Sequence, residues 1–552
     1  MGSKASDLFV KCLEVEGVER IFGVPGEENA HFMMSLEESS IDFLLCRHEQ
    51  SAAFMADVHG RLTGEAGVCL GTLGPGAANL VTGVADANMD RAPLVALTGQ
   101  ADSRRRHKES HQNMNVVGMF EPITKWAWSL NNPSNIPEVV RKAFKLATTE
   151  KPGACHIELS EDIAKMEAET EPIPPQRVRR PVPDDKIVDH ALEVIRGARS
   201  PVILAGNGTI RRRASQQLRQ FAEQSGIGVI STFMAKGCID RNDPRSLFTI
   251  GLQSKDYVGY AIDAADVVIC LGYDMVEYHP QLWNPGADKR IVHLDFLPAE
   301  VDHHYPVEVE VVGDLAHTLW MLNQRIAALG SAPLHDLPEQ ASIRGRMLED
   351  FAEYADDDSV GTIRPQKVVW DVRAVLGSHD ILLSDVVAHK MWVARYFHCD
   401  EPNTCLISNG FCSMGFALPG AISAKLVHPG RKVLALCGDG GFMMNVHEME
   451  TARRLRTPIV AMVWEDGGYG LISWKQETEF GRHTDLSFDN PDFMKLAEAF
   501  DWAGFRCDRS RDLHRTLEQA FAADRPALLV VPIDYRENHL LTERLGNIVC
   551  PL

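Results

Sequence analysis

Two acids sit on glycine turns that follow apolar runs. In "KVLALCGDGGFMMN", residues 432–445, the run Val433 to Cys437 leads straight into Gly438, Asp439, Gly440 and Gly441; in "PIVAMVWEDGGYG" a second run ends in Glu465, Asp466, Gly467 and Gly468. Short apolar runs of this kind read as fully buried strands, and "FMMNVHEMETARRL" after the first turn has helical spacing. The chain between the two acids is long enough for one helix and one return strand, so both converge at one sheet edge. Hard carboxylate oxygens, a carbonyl freed at Gly468 and the amides of a glycine-lined helix start suit a magnesium-bridged diphosphate. The plainer alternative is that each aspartate caps the helix behind it.

A third acid stands apart from these. "IDFLLCRHEQSAAFMADVHGR" puts Glu49 at the end of an apolar strand and the start of a helix. A carboxylic acid shielded from water there could share a proton with a ring nitrogen. Alternatively, it is an acid favoured by the helix dipole, which would lower its pKa.

Elements of defined kind must position these residues. A chain of 552 residues is too long for one core and implies three or four domains. A proline- and charge-rich linker spans 167–185, and a second, less sharp one lies near 329–342. The resulting blocks are 1–166, 186–328 and 360–552. "IDFLLCR", "GVCLGTLG" and "APLVALTG" read as strands of the first block, with "EQSAAFMADVHGRLTG" and "GAANLVTGVADANMD" as its helices. "PVILAGNG", "IGVIST", "DVVICLG" and "RIVHLDF" are strands of the second; "DILLSDV", "KVLALCGDG", "PIVAMVWED" and "PALLVVPID" belong to the third. This alternation predicts an α/β fold of three doubly wound parallel-sheet domains, with ligands beyond the C-terminal strand ends.

Composition removes several function classes. The balance of 56 basic against 76 acidic residues gives a net charge of −20, which argues against nucleic acid as a partner. None of the 12 cysteines forms a C-x-x-C pair and most lie in strand-like runs, so reduced buried thiols in a cytoplasmic protein are expected rather than disulfides or zinc. No apolar run reaches membrane-span length and no apolar signal core opens the chain. "MGSKAS" fits a myristoylation pattern but has no polybasic second signal.

"GDGGFMMN" followed by "ED" resembles the G-D-G to N-N or N-D signature of thiamine-diphosphate enzymes. The resemblance implies Mg²⁺ ligands at Asp439, Asp466 and the carbonyl of Gly468, diphosphate contacts at Gly438, Gly440, Gly441 and His389, and further cofactor contacts at Val386, Tyr469 and Leu471. Glu49 matches the family's activating glutamate. "FGVPGEEN" and "GTLGPGAANLVTGVADA" resemble its cofactor-facing turns and place Val24, Pro25, Gly26, Pro75 and Asn79 near the pyrimidine. "ISNGFCSMGFALPGA" resembles the segment that props thiamine, with Met414 as the prop and the backbone of Cys412 as a contact. Without these neighbours Met414 would be read as core filler.

In detail, and over nearly the whole chain, the sequence is similar to acetolactate synthase, nearest the catabolic, flavin-independent type. "HQNMNVVGMFEPITKWA" makes His111 and Gln112 candidates for the pocket over the thiazolium. The middle block's "AGNG" is a weak glycine turn, read as structural, and FAD is not expected. The implied activity joins the hydroxyethyl unit of one pyruvate to a second, giving 2-acetolactate and CO₂, with active sites shared between subunits of a homodimer or homotetramer. Departures are Glu27 and Glu28 where Ala-Lys is usual, Val387 where glycine is usual, Glu465 in place of Asn, and Lys475 beside Trp474 in the substrate-pocket stretch "SWKQE". The rival readings are a thiamine-dependent decarboxylase or carboligase for another 2-keto acid or aldehyde, and a cofactor-binding subunit without turnover.

Overall fold

The computed structural model describes residues 3–176, 180–211, 213–251 and 257–541; residues 177–179 of the first linker lie outside these ranges. Three six-stranded sheets, all parallel, form in sequence order. Their central strands, such as Leu94–Gln100 and Val267–Leu271, are buried at every position, as parallel strands covered by helices on both faces must be.

The first and third sheets share the strand order 2-1-3-4-6-5, and the middle sheet runs 3-2-1-4-5-6. Each begins at an inner strand, steps outward to one side, then returns to continue on the other. The topological switch point of the first sheet lies between Arg20–Gly23 and Gly67–Gly71, that of the second between Pro201–Ala205 and Val267–Leu271, and that of the third between Ile381–Ser384 and Val433–Gly438. Ligands of open α/β sheets bind beyond the carboxyl ends of such strand pairs. All the strands anticipated above form. Strands with weaker signals, including Ala154–Ser160, Val307–Val312 and Cys405–Ile407, form as well. In Ala154–Ser160 the buried His156 and Glu158 interrupt the apolar pattern.

The helical stretch read after Gly441 is corrected by the structure. It splits into Asp439–Met444 and Glu448–Arg454. The break falls at Asn445, whose Nδ2 donates to the Gly415 carbonyl (2.7 Å) and whose Oδ1 accepts from Ser51 Oγ (3.1 Å).

The first and third domains share a core. Helix Glu49–Thr63 packs on helix Ala417–Val427 through small residues and the edge-to-face pair Phe54 and Phe416, 5.7 Å apart, and Ser423 Oγ donates to the Met55 carbonyl at 2.7 Å. In the middle domain, the loops after the two switch-point strands bond directly, Gly208 N–H to the Gly272 carbonyl at 2.8 Å. A Cβ on Gly208 would lie 2.6 Å from the Gly272 Cα. The glycines of "AGNG" therefore serve close packing of two backbones. The Glu277 carboxylate lies beside Gly206, accepting from the Asn207 N–H (2.9 Å) and from Thr232 Oγ1.

Candidate functional site

At the third sheet, Asp439 is the first residue after its strand and is almost wholly buried. Its Oδ1 accepts the adjacent Gly440 N–H (2.8 Å). Its Oδ2 accepts the N–H groups of Asp466 (3.1 Å) and Gly467 (2.8 Å) and the Asn490 Nδ2 (2.7 Å). An N-cap would instead accept from the second or third helical N–H, so Asp439 ties two strand-end turns together rather than capping a helix. Asp466 caps nothing either, since helix Gly470–Phe480 has no side-chain cap. Desolvation, then the neighbouring Asp439 carboxylate, pushes Asp466 up to about 7, although the residue keeps solvent access on its outer side. Glu465 points elsewhere, onto Arg506 at 2.7 Å. Gly467 adopts φ +70°, a conformation glycine takes without strain.

Across the switch-point crevice stands the turn Asp385–His389. His389 is buried, its ring lies 3.4 Å from where a Cβ on Gly438 would be, and its Nε2 has no hydrogen-bond partner. Burial pushes this imidazole down to about 3, which leaves a neutral ring with Nε2 as its unsatisfied polar atom. Two adjacent carboxylates without a counter-cation, a glycine cradle at Gly440 and Gly441, and an orphaned imidazole nitrogen fit Mg²⁺ with a diphosphate. Tyr469 closes over Gly440, with a Cβ there falling 3.0 Å from its ring. Val386 is buried, its N–H on Asp385 Oδ1 at 3.0 Å. Leu471 is half-buried at the start of helix Gly470–Phe480.

At the first sheet, Glu49 opens helix Glu49–Thr63 and is 8% exposed. His48 supplies the cap, its Nδ1 accepting from the Gln50 N–H. The Glu49 side chain turns instead towards the turn of helix Pro75–Met89: Oε2 accepts from Asn79 Nδ2 at 3.0 Å, and Oε1 lies 3.2 Å from where a Cβ on Gly76 would be. Val24, Pro25 and Gly26 follow strand Arg20–Gly23, and a Cβ on Gly26 would strike Thr72. These turns flank the first switch point. Gln112 packs against Gly74, with φ +56°, and His111 is exposed beside it. Glu28 accepts from Thr72 Oγ1 at 3.2 Å.

The segment Ser408–Gly415 joins the two halves. Cys412 takes φ +59° and receives a hydrogen bond from the buried Lys390 Nζ at 3.0 Å. Met414 is half-buried and belongs to no core cluster, which removes its reading as core filler. Trp474 packs on the third domain's core while Lys475 is exposed. Among the described residues, no hydrogen bond links Glu49 to the Asp439 turn.

Family models match three stretches of the chain. The thiamine pyrophosphate enzyme N-terminal TPP binding domain covers residues 3–119, the central domain 188–322 and the C-terminal TPP binding domain 385–531. The chain is 36% identical to the catabolic acetolactate synthase of Raoultella terrigena, covering 98% of this chain and 97% of the relative. It is 34% identical to the acetolactate synthase of Bacillus subtilis (98% and 95%) and 35% identical to a probable acetolactate synthase large subunit of Methanocaldococcus jannaschii (100% and 95%). The chain belongs to the acetolactate synthase family of thiamine pyrophosphate enzymes.

Within this acetolactate synthase fold, several supporting residues carry no local sequence signal. Asn490 reaches Asp439 from beyond the helix that follows Asp466. Asp385 accepts the Gly415 N–H with both oxygens (3.0 and 2.9 Å), so it fixes the far end of the Cys412 and Met414 segment; burial pushes it up to about 7. Glu448, fully buried, accepts the Arg47 and His48 N–H groups at 3.0 and 3.2 Å, holding the backbone just ahead of Glu49. Each acts across a distance in sequence that spacing alone does not reveal.

Proposed function

We propose that this acetolactate synthase family member condenses two pyruvate molecules to 2-acetolactate and CO₂. The observation that supports it is the placement of Glu49 and the Asp439–Asp466 pair at the equivalent switch points of two similarly wound sheets. Asp439, Asp466 and the Gly468 carbonyl hold Mg²⁺. Gly438, Gly440, Gly441 and His389 receive the diphosphate. Val24, Pro25, Gly26, Pro75, Asn79, Cys412 and Met414 shape the pocket for the ring system. Bound thiamine diphosphate supplies the electron sink that lets a 2-keto acid lose CO₂. Glu49, shielded and oriented by Asn79, exchanges a proton with a ring nitrogen of that group. Gln112 and His111, at the mouth beside Gly74, steer the acceptor. Glu49 and the acid turn lie on different domains, and the resemblance to the family supports sites completed by two subunits. No flavin role is assigned.

The test is product analysis after incubating the protein with pyruvate, thiamine diphosphate and Mg²⁺. Acetolactate, or acetoin after acid treatment, is the expected product, and Glu49→Gln abolishes it. Release of CO₂ with only free aldehyde would transfer the chain to the decarboxylase reading, and no turnover of any 2-keto acid would leave it a binding subunit.

A further inference from the structure

The near end of the Ser408–Gly415 segment is gripped by another domain. Asp90, 4% exposed at the end of helix Pro75–Met89, accepts the Asn409 N–H on one oxygen (2.7 Å) and the Gly410 N–H on the other (2.6 Å). Its neighbour Asp86 accepts from Ser408 Oγ, which in turn accepts the Ser413 N–H at 2.7 Å. Arg61 completes the grip, donating to the Ile407 carbonyl (2.8 Å) and pairing with Asp57, Asp86 and Asp90. Three carboxylates around one guanidinium leave excess negative charge in a buried place. Burial, then Asp90 and Asp57, push Asp86 well above the usual carboxylate range.

The same turn carries the middle domain. The Asp90 carbonyl accepts from Asn207 Nδ2 (3.1 Å), and Arg91, held at φ +59°, donates to Asp274 Oδ2 (3.1 Å). Asp274 also takes Lys151 Nζ at 2.5 Å. All three domains thus meet at two consecutive residues, one of which holds the backbone leading to Cys412 and Met414. A non-glycine residue in the left-handed region persists only where its surroundings over-determine it.

We propose that Asp90 is a positioning residue for thiamine diphosphate: through Asn409 and Gly410 it sets the Cys412–Met414 segment against the cofactor's ring system, and Arg91 fixes Asp90 against the middle domain. This rests on the cofactor reading above. Within the Ser408–Gly415 segment Asp90 touches only backbone, so its effect falls on the ring half of the cofactor and not on the diphosphate half held by Asp439. An asparagine has one carbonyl oxygen for two N–H groups, so Asp90→Asn orphans one of them in a buried place.

The experiment is calorimetric binding to the full chain with Mg²⁺ present, using thiamine diphosphate and inorganic diphosphate as separate probes, together with turnover at saturating cofactor. Asp90→Asn is expected to weaken thiamine diphosphate at least about tenfold, to lower turnover even at saturation, and to leave inorganic diphosphate affinity unchanged. Ser408→Ala, which removes only the hydroxyl between Asp86 and the Ser413 N–H, shifts both cofactor affinity and turnover the same way by a smaller factor and covers the case in which Asp90→Asn does not fold. Unchanged cofactor affinity and turnover in a folded Asp90→Asn, or in Ser408→Ala alone, overturns the proposal. Equal loss of both probes overturns it as well, since that is damage to the whole domain. Failure of the parent protein to bind thiamine diphosphate would instead sink the cofactor reading itself.

Discussion

At the scale of single residues, chemistry and stability are kept in different places. Asp439 and Glu49 lie at strand ends with side chains turned into turns of other elements, and neither behaves as a helix cap despite standing at a helix start. His156 is the structural counterpart. It lies fully buried within strand Ala154–Ser160, stacked on Phe120 at 4.2 Å, with Nε2 against Thr98 Oγ1 at 2.8 Å. Desolvation alone pushes it from 6.5 to about 3. The folded state therefore binds this proton later than the unfolded state, so the contribution to stability is complete above pH 6.5 and is lost as the pH falls towards 3. At pH 5 the loss is about 2 kcal/mol. His156→Gln should flatten the fall in unfolding free energy between pH 7 and 5, read from urea melts, by that amount, and an unchanged slope would show that His156 is not one of the groups responsible.

Among the elements, the helices that open at the crevices carry the strain. Val387 precedes helix Ala388–Tyr396 with φ 95° and ψ −149°, a region that only glycine occupies freely and that costs about 1–3 kcal/mol for other residues. The backbone is bent there so that Val386 and His389 flank the Asp439 turn. Val387→Gly removes the strain against an entropic cost of about 0.5–1 kcal/mol, so its denaturation midpoint should rise with cofactor affinity retained. A lower midpoint would mean that the valine side chain contributes more by packing than the backbone loses. The sequence shows this valine as a departure from a usual glycine, but only the dihedral angles show that the turn kept its shape without one. The helix after Gly441 teaches the reverse lesson. Its spacing reads as continuous, yet Asn445 breaks it to bond Gly415 and Ser51, because a tertiary hydrogen bond between buried polar groups outweighs local propensity.

On the scale of the whole molecule, the shared core of the first and third domains fixes Glu49 and the acid turn in one rigid unit without hydrogen-bonding them to each other. Two copies paired about a two-fold axis would bring the Glu49 of each to the Asp439 turn of its partner. Glu49→Gln and Asp439→Ala should each be inactive alone, and co-expressed they should recover about a quarter of the parent activity, since half the dimers are mixed and each has one intact site. No recovery in dimers shown to be mixed would place both acids in the same chain's site. Among the described residues, no helix is long and apolar enough to cross a membrane. What the sequence determined by itself is whatever depends on local pattern: three alternating strand and helix blocks, glycine turns at strand ends, and the acids on them, all written within a few residues of one another. Tertiary structure alone decided what those acids touch. Asn490 on Asp439, Asn79 on Glu49, Asp385 and Asp90 at the two ends of the Cys412 segment, and Glu277 on Asn207 are hydrogen bonds between residues far apart in the chain. Such bonds are selected by burial, where an unpaired polar group is costly, and burial is a property of the packed molecule.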